Sequence, residues 1–267
     1  MCSSDLQIKG GRLAKAAFPA RTLTLAISDV PGDDPSTIAS GPTVGDATTR
    51  YDAEKILNKY AIQTAGAVEA VLSSELAESP APDDPTLARS EFFITATAAQ
   101  ALLTAANRAS AEGFDVTNLG DAVEGFAHEL AATHARLFEE MIEKEGANAR
   151  TMLISGGEAT VRITGSGRGG PNQEYLLALA IALDGKANTF GIACDTDGID
   201  GASEAAGAII TPDTLRRADQ LGMDPEVYLS NNDAGTFFDR LGDRIVTGPT
   251  CTNVNDFRVI AHIPDAG

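Results

Sequence analysis

The twenty residues from 155 to 174, SGGEATVRITGSGRGGPNQE, hold six glycines and lie between two apolar runs, 151–154 and 175–183. Glycine loses more backbone entropy on ordering than any other residue, so so many in a short stretch disfavour both helix and strand. The segment is read as a long loop joining a strand to a helix, and the fold must be built around it. Glycines recur where the backbone needs positive φ or approaches something closely. Ending at a helix start, such a loop is suited to hold an anion on backbone N–H groups, which suggests phosphate chemistry. A tight turn that merely packs the helix onto the strand is the other reading of the same residues.

The composition narrows the partners. With 267 residues the chain can bury one large core or two modest ones, and 43% hydrophobic with 22% charged residues is ordinary for a globular protein. The formal net charge of −18 is not ordinary, and an acidic surface of this kind repels nucleic acid and anionic lipid. Neither is expected as a partner. Cys2, Cys194 and Cys251 form no CxxC pair and fit a reducing cytoplasm. His128, His134 and His262 are too scattered for a zinc set, and the first two are read as ordinary helix residues. No apolar run reaches the length of a membrane span, and no secretory signal is evident. MCSSDL is also the peptide that a common sequencing adapter would encode, so residues 1–6 are expected to be a non-native leader.

Strands and helices alternate along the chain. Strands are expected at 22–28, 91–95, 115–119, 189–194 and 258–263, and helices at 51–59, 63–77, 98–112, 122–145 and 172–183. This alternation argues for α/β layers with parallel pairing. Residues 151–155 and 159–164 are separated only by turn residues and are expected to pair as a hairpin. Residues 79–85, SPAPDDP, have three prolines in seven and are the best linker candidate. The expected division is 7–85, then 86–267.

Several loops could carry chemistry. Residues 165–170, GSGRGG, match GxGxxG, but the expected hairpin breaks the strand–turn–helix context of a dinucleotide site, and no Gly-Lys-Ser/Thr follows to make a P-loop. An anion site at the start of helix 172–183, with Arg168 adding charge, fits the spacing better. Asp195, Asp197 and Asp200 alternate on a loop after strand 189–194, a pattern suited to Mg²⁺ and equally to an Asx-turn that caps the next helix. The loop at 29–43, DVPGDDPSTIASGPT, repeats that logic, offering Asp29 together with Ser40 and Thr43. Two acidic loops at strand ends in different segments suggest a cleft between domains. Asn253 and Asn255, in TCTNVND at 250–256, either bind polar ligand groups or satisfy a loop before the last strand. No Ser-His-Asp set or nucleophile elbow stands out, and paired glycosidase carboxylates have no positive signal.

Taken together, IKGGRLA (8–14), SDVPGDDP (28–35) with IASGPTV (38–44), GDAVEG (120–125), LISGGEATV (153–161), GRGGPNQE (167–174), DTDGIDG (195–201) with EAAGA (204–208) and TNVNDFRV (252–259) resemble the type 2 glycerate kinases, also called hydroxypyruvate reductases, with their MOFRL region. The resemblance runs from Ile8 to the end. It implies the C-terminal remainder of a Rossmann-like α/β domain followed by an α/β MOFRL-type domain (about 150–262) with a mixed sheet. It also implies ATP- and Mg²⁺-dependent phosphorylation of D-glycerate to 2-phosphoglycerate, and a chain that lacks the start of its first domain. A homodimer is an accompanying expectation. Gly156, Gly157, Glu158, Gly167, Gly169, Gly170 and Asn172 are assigned to phosphate or nucleotide. Arg168, Asp195 and Asp197 are assigned to catalysis, with the two aspartates also holding metal, and Asp29, Ser40, Thr43, Asn253 and Asn255 to the substrate cleft. Many members have Arg where this chain has Pro171, and if that arginine touches phosphate or substrate, Arg168 is expected to substitute for it. Two alternatives remain: an NAD(P)H-dependent hydroxypyruvate reductase, resting on the literal GxGxxG, and an inactive fragment.

Overall fold

A computed structural model describes residues 7–75 and 78–264, and the expected leader lies outside them. The chain separates into two compact units, dividing after Thr95 rather than after Pro85. The Pro-rich residues 79–85 run inside the first unit, where Asp46 N–H donates to the Pro80 carbonyl at 2.9 Å.

The first unit contains α1 (Arg12–Ala17), β1 (Thr22–Ser28), α2 (Arg50–Lys59), α3 (Gly66–Leu72) and β2 (Ser90–Thr97), with β1 and β2 paired in a two-stranded sheet. The threonines of β1 face inward, while Leu23 and Leu25 remain 63% and 65% exposed. The helix expected at 63–77 is shorter. The Ser73 and Ser74 hydroxyls turn back onto the Glu69 and Val71 carbonyls, competing with continuation of the backbone ladder, and residues 76–77 lie outside the described ones.

The second unit runs α4 (Ala98–Ala111), β3 (Asp115–Asn118), β4 (Gly125–Phe126), α5 (Ala127–Glu145), β5 (Thr151–Ser155), β6 (Ala159–Thr160), α6 (Pro171–Leu183), β7 (Thr189–Asp195), β8 (Gly207–Ile210), α7 (Thr214–Gln220), α8 (Pro225–Ser230), α9 (Ala234–Leu241), β9 (Arg244–Ile245) and β10 (Asp256–His262). One sheet has the order β3-β5-β10-β7-β8-β9. Only β3 and β5 are parallel in it, and the other neighbours are antiparallel, so the sheet is mixed.

α6 is apolar on all sides and buried along nearly its whole length, as befits a helix in the middle of a core. α5 presents a single stripe to it, Ala127, Ala131, Ala135, Phe138 and Ile142, at the three- and four-residue intervals that share one helix face. Leu153, Ala193, Ile210 and Ile260 close the core from the sheet.

Three expectations change. Helix 122–145 begins only at Ala127, because Gly125 has φ 148° and pairs, within β4, with β6. The hairpin of 151–155 with 159–164 does not form. Both edges of β5 are taken by β3 and β10, and the chain leaves the sheet at Gly157, whose φ is 88°. Ala159–Thr160 then forms a separate parallel pair with β4. The short strands β4, β8 and β9 were not expected; two to four residues offer too little alternation to read.

The core contains one titratable group that reports on folding. His134 is buried, with Nδ1 2.9 Å from the Tyr175 hydroxyl, and burial, followed by the nearby Arg258 charge, pushes its pKa down to about 4. An unfolded histidine gains its proton near pH 6.5, whereas the folded one does so only near 4. Its contribution to stability is therefore complete above about pH 6.5 and is lost as the pH falls toward 4. Urea unfolding at pH 7.5 and pH 5 should show a larger loss for the native chain than for His134→Gln. Equal losses in both would show that His134 does not titrate in this way.

Candidate active site

The site is built where the C-terminal ends of β5 and β7 meet the start of β10 and of α6. Because β10 is antiparallel to both neighbours, Asp256 lies opposite Asp195, and Arg258 lies between Ser155 and Ala193. The Asp256 carboxylate accepts from Ala159 N–H (2.8 Å), Asn172 Nδ2 (2.6 Å) and the Arg258 guanidinium (2.6 Å). Arg258 is 1% exposed, donates a second bond to the Gly156 carbonyl (3.1 Å), and sits over the Tyr175 ring with Cζ 5.6 Å from its centroid. A charge buried this deeply requires both a partner and further hydrogen bonds, and Asp256 and Gly156 supply them.

The start of α6 already carries an anion of the chain's own. The N–H groups of Asn172 and Gln173 donate to the two carboxylate oxygens of Asp200, both at 2.9 Å. These bonds and the helix dipole favour the ionised form, yet burial dominates and pushes the Asp200 carboxyl up to about 7.

The glycine loop is also largely committed. Thr164 and Gly165 donate their N–H groups to Asn232 Oδ1 (2.7 and 2.8 Å), Ser166 to Asn231 Oδ1 (3.1 Å), Gly167 to the Asn231 carbonyl (2.9 Å) and Arg168 to Asp233 Oδ1 (2.8 Å). A Cβ on Gly167 would collide with Asp233, and one on Gly170 with the Asp200 carbonyl. Close packing therefore accounts for glycine at both positions. Among the described residues, the N–H groups of Gly157, Glu158, Gly169 and Gly170 have no hydrogen-bond acceptor. The Arg168 side chain is exposed and, among the described residues, has no ion-pair partner.

The acidic loop and the asparagine loop come together. Thr196 donates its hydroxyl to the Asn255 carbonyl (2.8 Å) and accepts from Val254 N–H (2.9 Å), and Thr250 N–H reaches the Asp197 carbonyl (2.9 Å). Asn253 Oδ1 accepts from Asn255 N–H at 2.9 Å. Asp195 and Asp197 are half-buried, and each accepts a backbone N–H two residues on, from Asp197 (3.0 Å) and Ile199 (2.7 Å), which is Asx-turn geometry. Burial first, with the like charges of Asp197 and Asp256 adding to it, pushes the Asp195 carboxyl up to about 6. Burial and the surrounding carboxylates push the Cys194 thiol up to about 11, so it is no thiolate nucleophile near neutral pH. Among the described residues, no group of three or more His, Cys, Asp and Glu is arranged to hold a metal.

The remaining nominated residues belong to the first unit. Thr43 is buried with its hydroxyl 2.6 Å from that of Thr24. Ser40 is half-buried in the left-handed region (φ 63°), its carbonyl accepting Gly10 N–H, and Asp29 is exposed.

Asp256 and Arg258 were not singled out from sequence. A legible signal existed: they stand two apart on an otherwise apolar strand, and so on one face. Asn231, Asn232 and Asp233 carried no comparable signal, since their acceptors serve a loop some sixty residues away.

The MOFRL family model matches residues 151–256, and a model described as a domain of unknown function, DUF4147, matches 4–73. A glycerate kinase of Macaca fascicularis is 34% identical over 95% of this chain and 75% of that protein. The chain belongs to the glycerate kinase family. D-glycerate 2-kinase of Thermotoga maritima is 37% identical over 94% of this chain and 58% of its own length. The crystal structure of the Thermotoga maritima glycerate kinase superposes with a TM-score of 0.83 at 36% identity, covering 96% of this chain and 61% of that one. Two relatives from Agrobacterium vitis, 46% and 45% identical, bear the name of a hydroxypyruvate reductase, and the chain spans 58% and 66% of their lengths. Family membership thus agrees with the motifs, while the chain spans only part of several relatives.

The buried pair gives this family site a measurable stability signature. Arg258→Met leaves Asp256 buried with one charge partner fewer and should destabilise the fold by about 3–5 kcal/mol in urea unfolding. Adding Asp256→Asn should recover part of that loss. A single variant as stable as the native chain would show that the pair does not hold the sheet to the helix.

Proposed function

We propose that this chain carries the phosphoryl-transfer residues of a D-glycerate 2-kinase, which uses ATP and Mg²⁺ to form 2-phosphoglycerate. The observation that carries the reading is the convergence of Asp195, Asp197, Asn172 and the free amides of Gly157, Glu158, Gly169 and Gly170 around the ends of β5, β7 and α6. In open α/β sheets, ligands gather at the carboxyl ends of strands. Relatives named glycerate kinase or D-glycerate 2-kinase are 34% and 37% identical over nearly the whole length of this chain.

The donor chemistry fits a divalent cation. Two half-buried carboxylates in contact, one with its pKa raised by burial and like charge, gain from a cation between them. Mg²⁺ takes one or two carboxylates together with water and phosphate oxygens rather than an all-protein cage. Asp195 and Asp197 would hold it, and when bound it neutralises charge on the phosphoryl group in transfer. Arg168, exposed and unpaired among the described residues, adds positive charge toward the same anion. Asn172 Oδ1 is buried with no partner among the described residues and can accept from a hydroxyl of the acceptor substrate. Gly169 and Gly170 N–H groups bind phosphate oxygen, and Asn253 and Asn255 line the acceptor side. Positioning and charge neutralisation supply the catalysis, since phosphoryl transfer asks little covalent work of the protein. Free thiols at Cys194 and Cys251 accord with a cytoplasmic enzyme.

The reductase reading loses its structural context on different grounds from those expected. The GxGxxG follows β6, a two-residue strand outside the six-stranded sheet, and the amides of its first four residues are bound to residues 231–233. One pair of assays separates the two activities. The kinase reading expects ADP and 2-phosphoglycerate from ATP, Mg²⁺ and D-glycerate, with Asp195→Asn lowering kcat/KM at least about 100-fold. Oxidation of NADH with hydroxypyruvate, without ADP formation from D-glycerate, would replace it by the reductase.

A further inference from the structure

Beside the glycine loop, within the second unit, is a cavity of about 310 Å³. That is the lower end of the size range of pockets for drug-sized and cofactor ligands, and far more than a three-carbon acid fills. Its side-chain walls are mainly apolar: Val161, Ile163, Pro171, Ala202 and Ala234, with glycine backbone between them.

Three polar side chains also line it, Asn232, Glu174 and the exposed Arg168. Asn232 is fully used, its Oδ1 accepting from Thr164 and Gly165 N–H and its Nδ2 donating to Glu174 Oε2 (2.9 Å) and the Arg162 carbonyl (3.2 Å). Glu174 is buried, and only its Oε2 is engaged by Asn232. The pocket therefore presents mainly apolar side chains with a carboxyl acceptor and a guanidinium in its lining. Glu174 can accept from the hydroxyls of a ribose or from an exocyclic amine, the apolar walls suit a heterocyclic base, and Arg168 on the same lining suits the phosphates attached to it.

We propose that this cavity takes the nucleoside end of the phosphoryl donor, with the base between Ile163 and Ala202 and Glu174 accepting from a donor group of the nucleoside. The free N–H groups of Gly169 and Gly170 border the pocket and continue toward Asp200, so the phosphates leave it on the side of the acidic loop. This assignment rests on the kinase reading above and divides that site between its two substrates: the glycine loop serves the nucleotide, and D-glycerate lies elsewhere.

Isothermal titration of the purified chain tests it without turnover, with ATP, adenosine, NADH and D-glycerate as separate ligands. Ala202 and Ile163 are both exposed, Ile163 by 82%, so substitutions there spare the core. Ala202→Trp and, independently, Ile163→Glu should each weaken ATP and adenosine at least tenfold while leaving D-glycerate affinity unchanged. Native affinity for ATP in both folded variants, or weakened D-glycerate with ATP unaffected, overturns the pocket assignment and leaves the kinase reading standing. A native chain that binds NADH but not ATP overturns the kinase reading instead. Binding of neither nucleotide overturns both.

Discussion

The second unit depends on one buried carboxylate. Asp256 binds the start of β6 through Ala159, the start of α6 through Asn172 and its own strand through Arg258. Those segments are distant in sequence and none of them pairs with another as regular structure, so the acid does for them what a backbone ladder does within the sheet. Arg258 extends the link to Gly156 and to the ring of Tyr175, whose hydroxyl meets His134 on α5. A polar chain thus crosses the core from α5 to the site. Buried networks of this kind are worth their desolvation only when nearly every member is satisfied. Most of this one is; Arg258 Nε and Asn172 Oδ1 have no partner among the described residues, and Asn172 Oδ1 is the one at the site.

The same logic explains why the glycine loop is not a simple anion nest. Its central amides go to Asn231, Asn232 and Asp233, and the first amides of α6 go to Asp200. The chain's own side-chain oxygens fill the donors that a phosphate would otherwise use, which fixes the loop before any ligand arrives. What is left, among the described residues, is the amides of Gly157 and Glu158 and a short run at Gly169 and Gly170, the latter lining the mainly apolar cavity. Preorganisation of that kind lowers the entropy lost on binding a long, charged ligand.

Much of the architecture could be read from residue patterns because the relevant signals are local. β1 was expected at its observed limits, α4 to within one residue, and the end of the long α5 at its observed residue. The hairpin at 151–164 failed for a non-local reason. The spacing allowed a turn, but β10, which arrives a hundred residues later, takes the edge of β5 that the hairpin would have used. The helix at 63–77 failed for a local one, two serine hydroxyls that compete for the last carbonyls.

By itself the sequence determined the family, through seven ordered motifs, and the positions of Asp197, Asn253 and Asn255 on loops beside strands, whereas Asp195, expected on the loop, is the last residue of β7. Those are statements about residue type and local spacing, which the chain carries everywhere it goes. Only the tertiary structure decided what the glycines do. Their φ angles and near neighbours depend on residues 200 and 231–235, and no window around the loop contains them. Likewise, the buried Asp256–Arg258 pair is visible as two charged letters on an apolar strand, but its role follows from the strands on either side and from α6 above. Local chemistry names the groups; packing against distant segments fixes which of their hydrogen bonds are already used and which remain for a ligand.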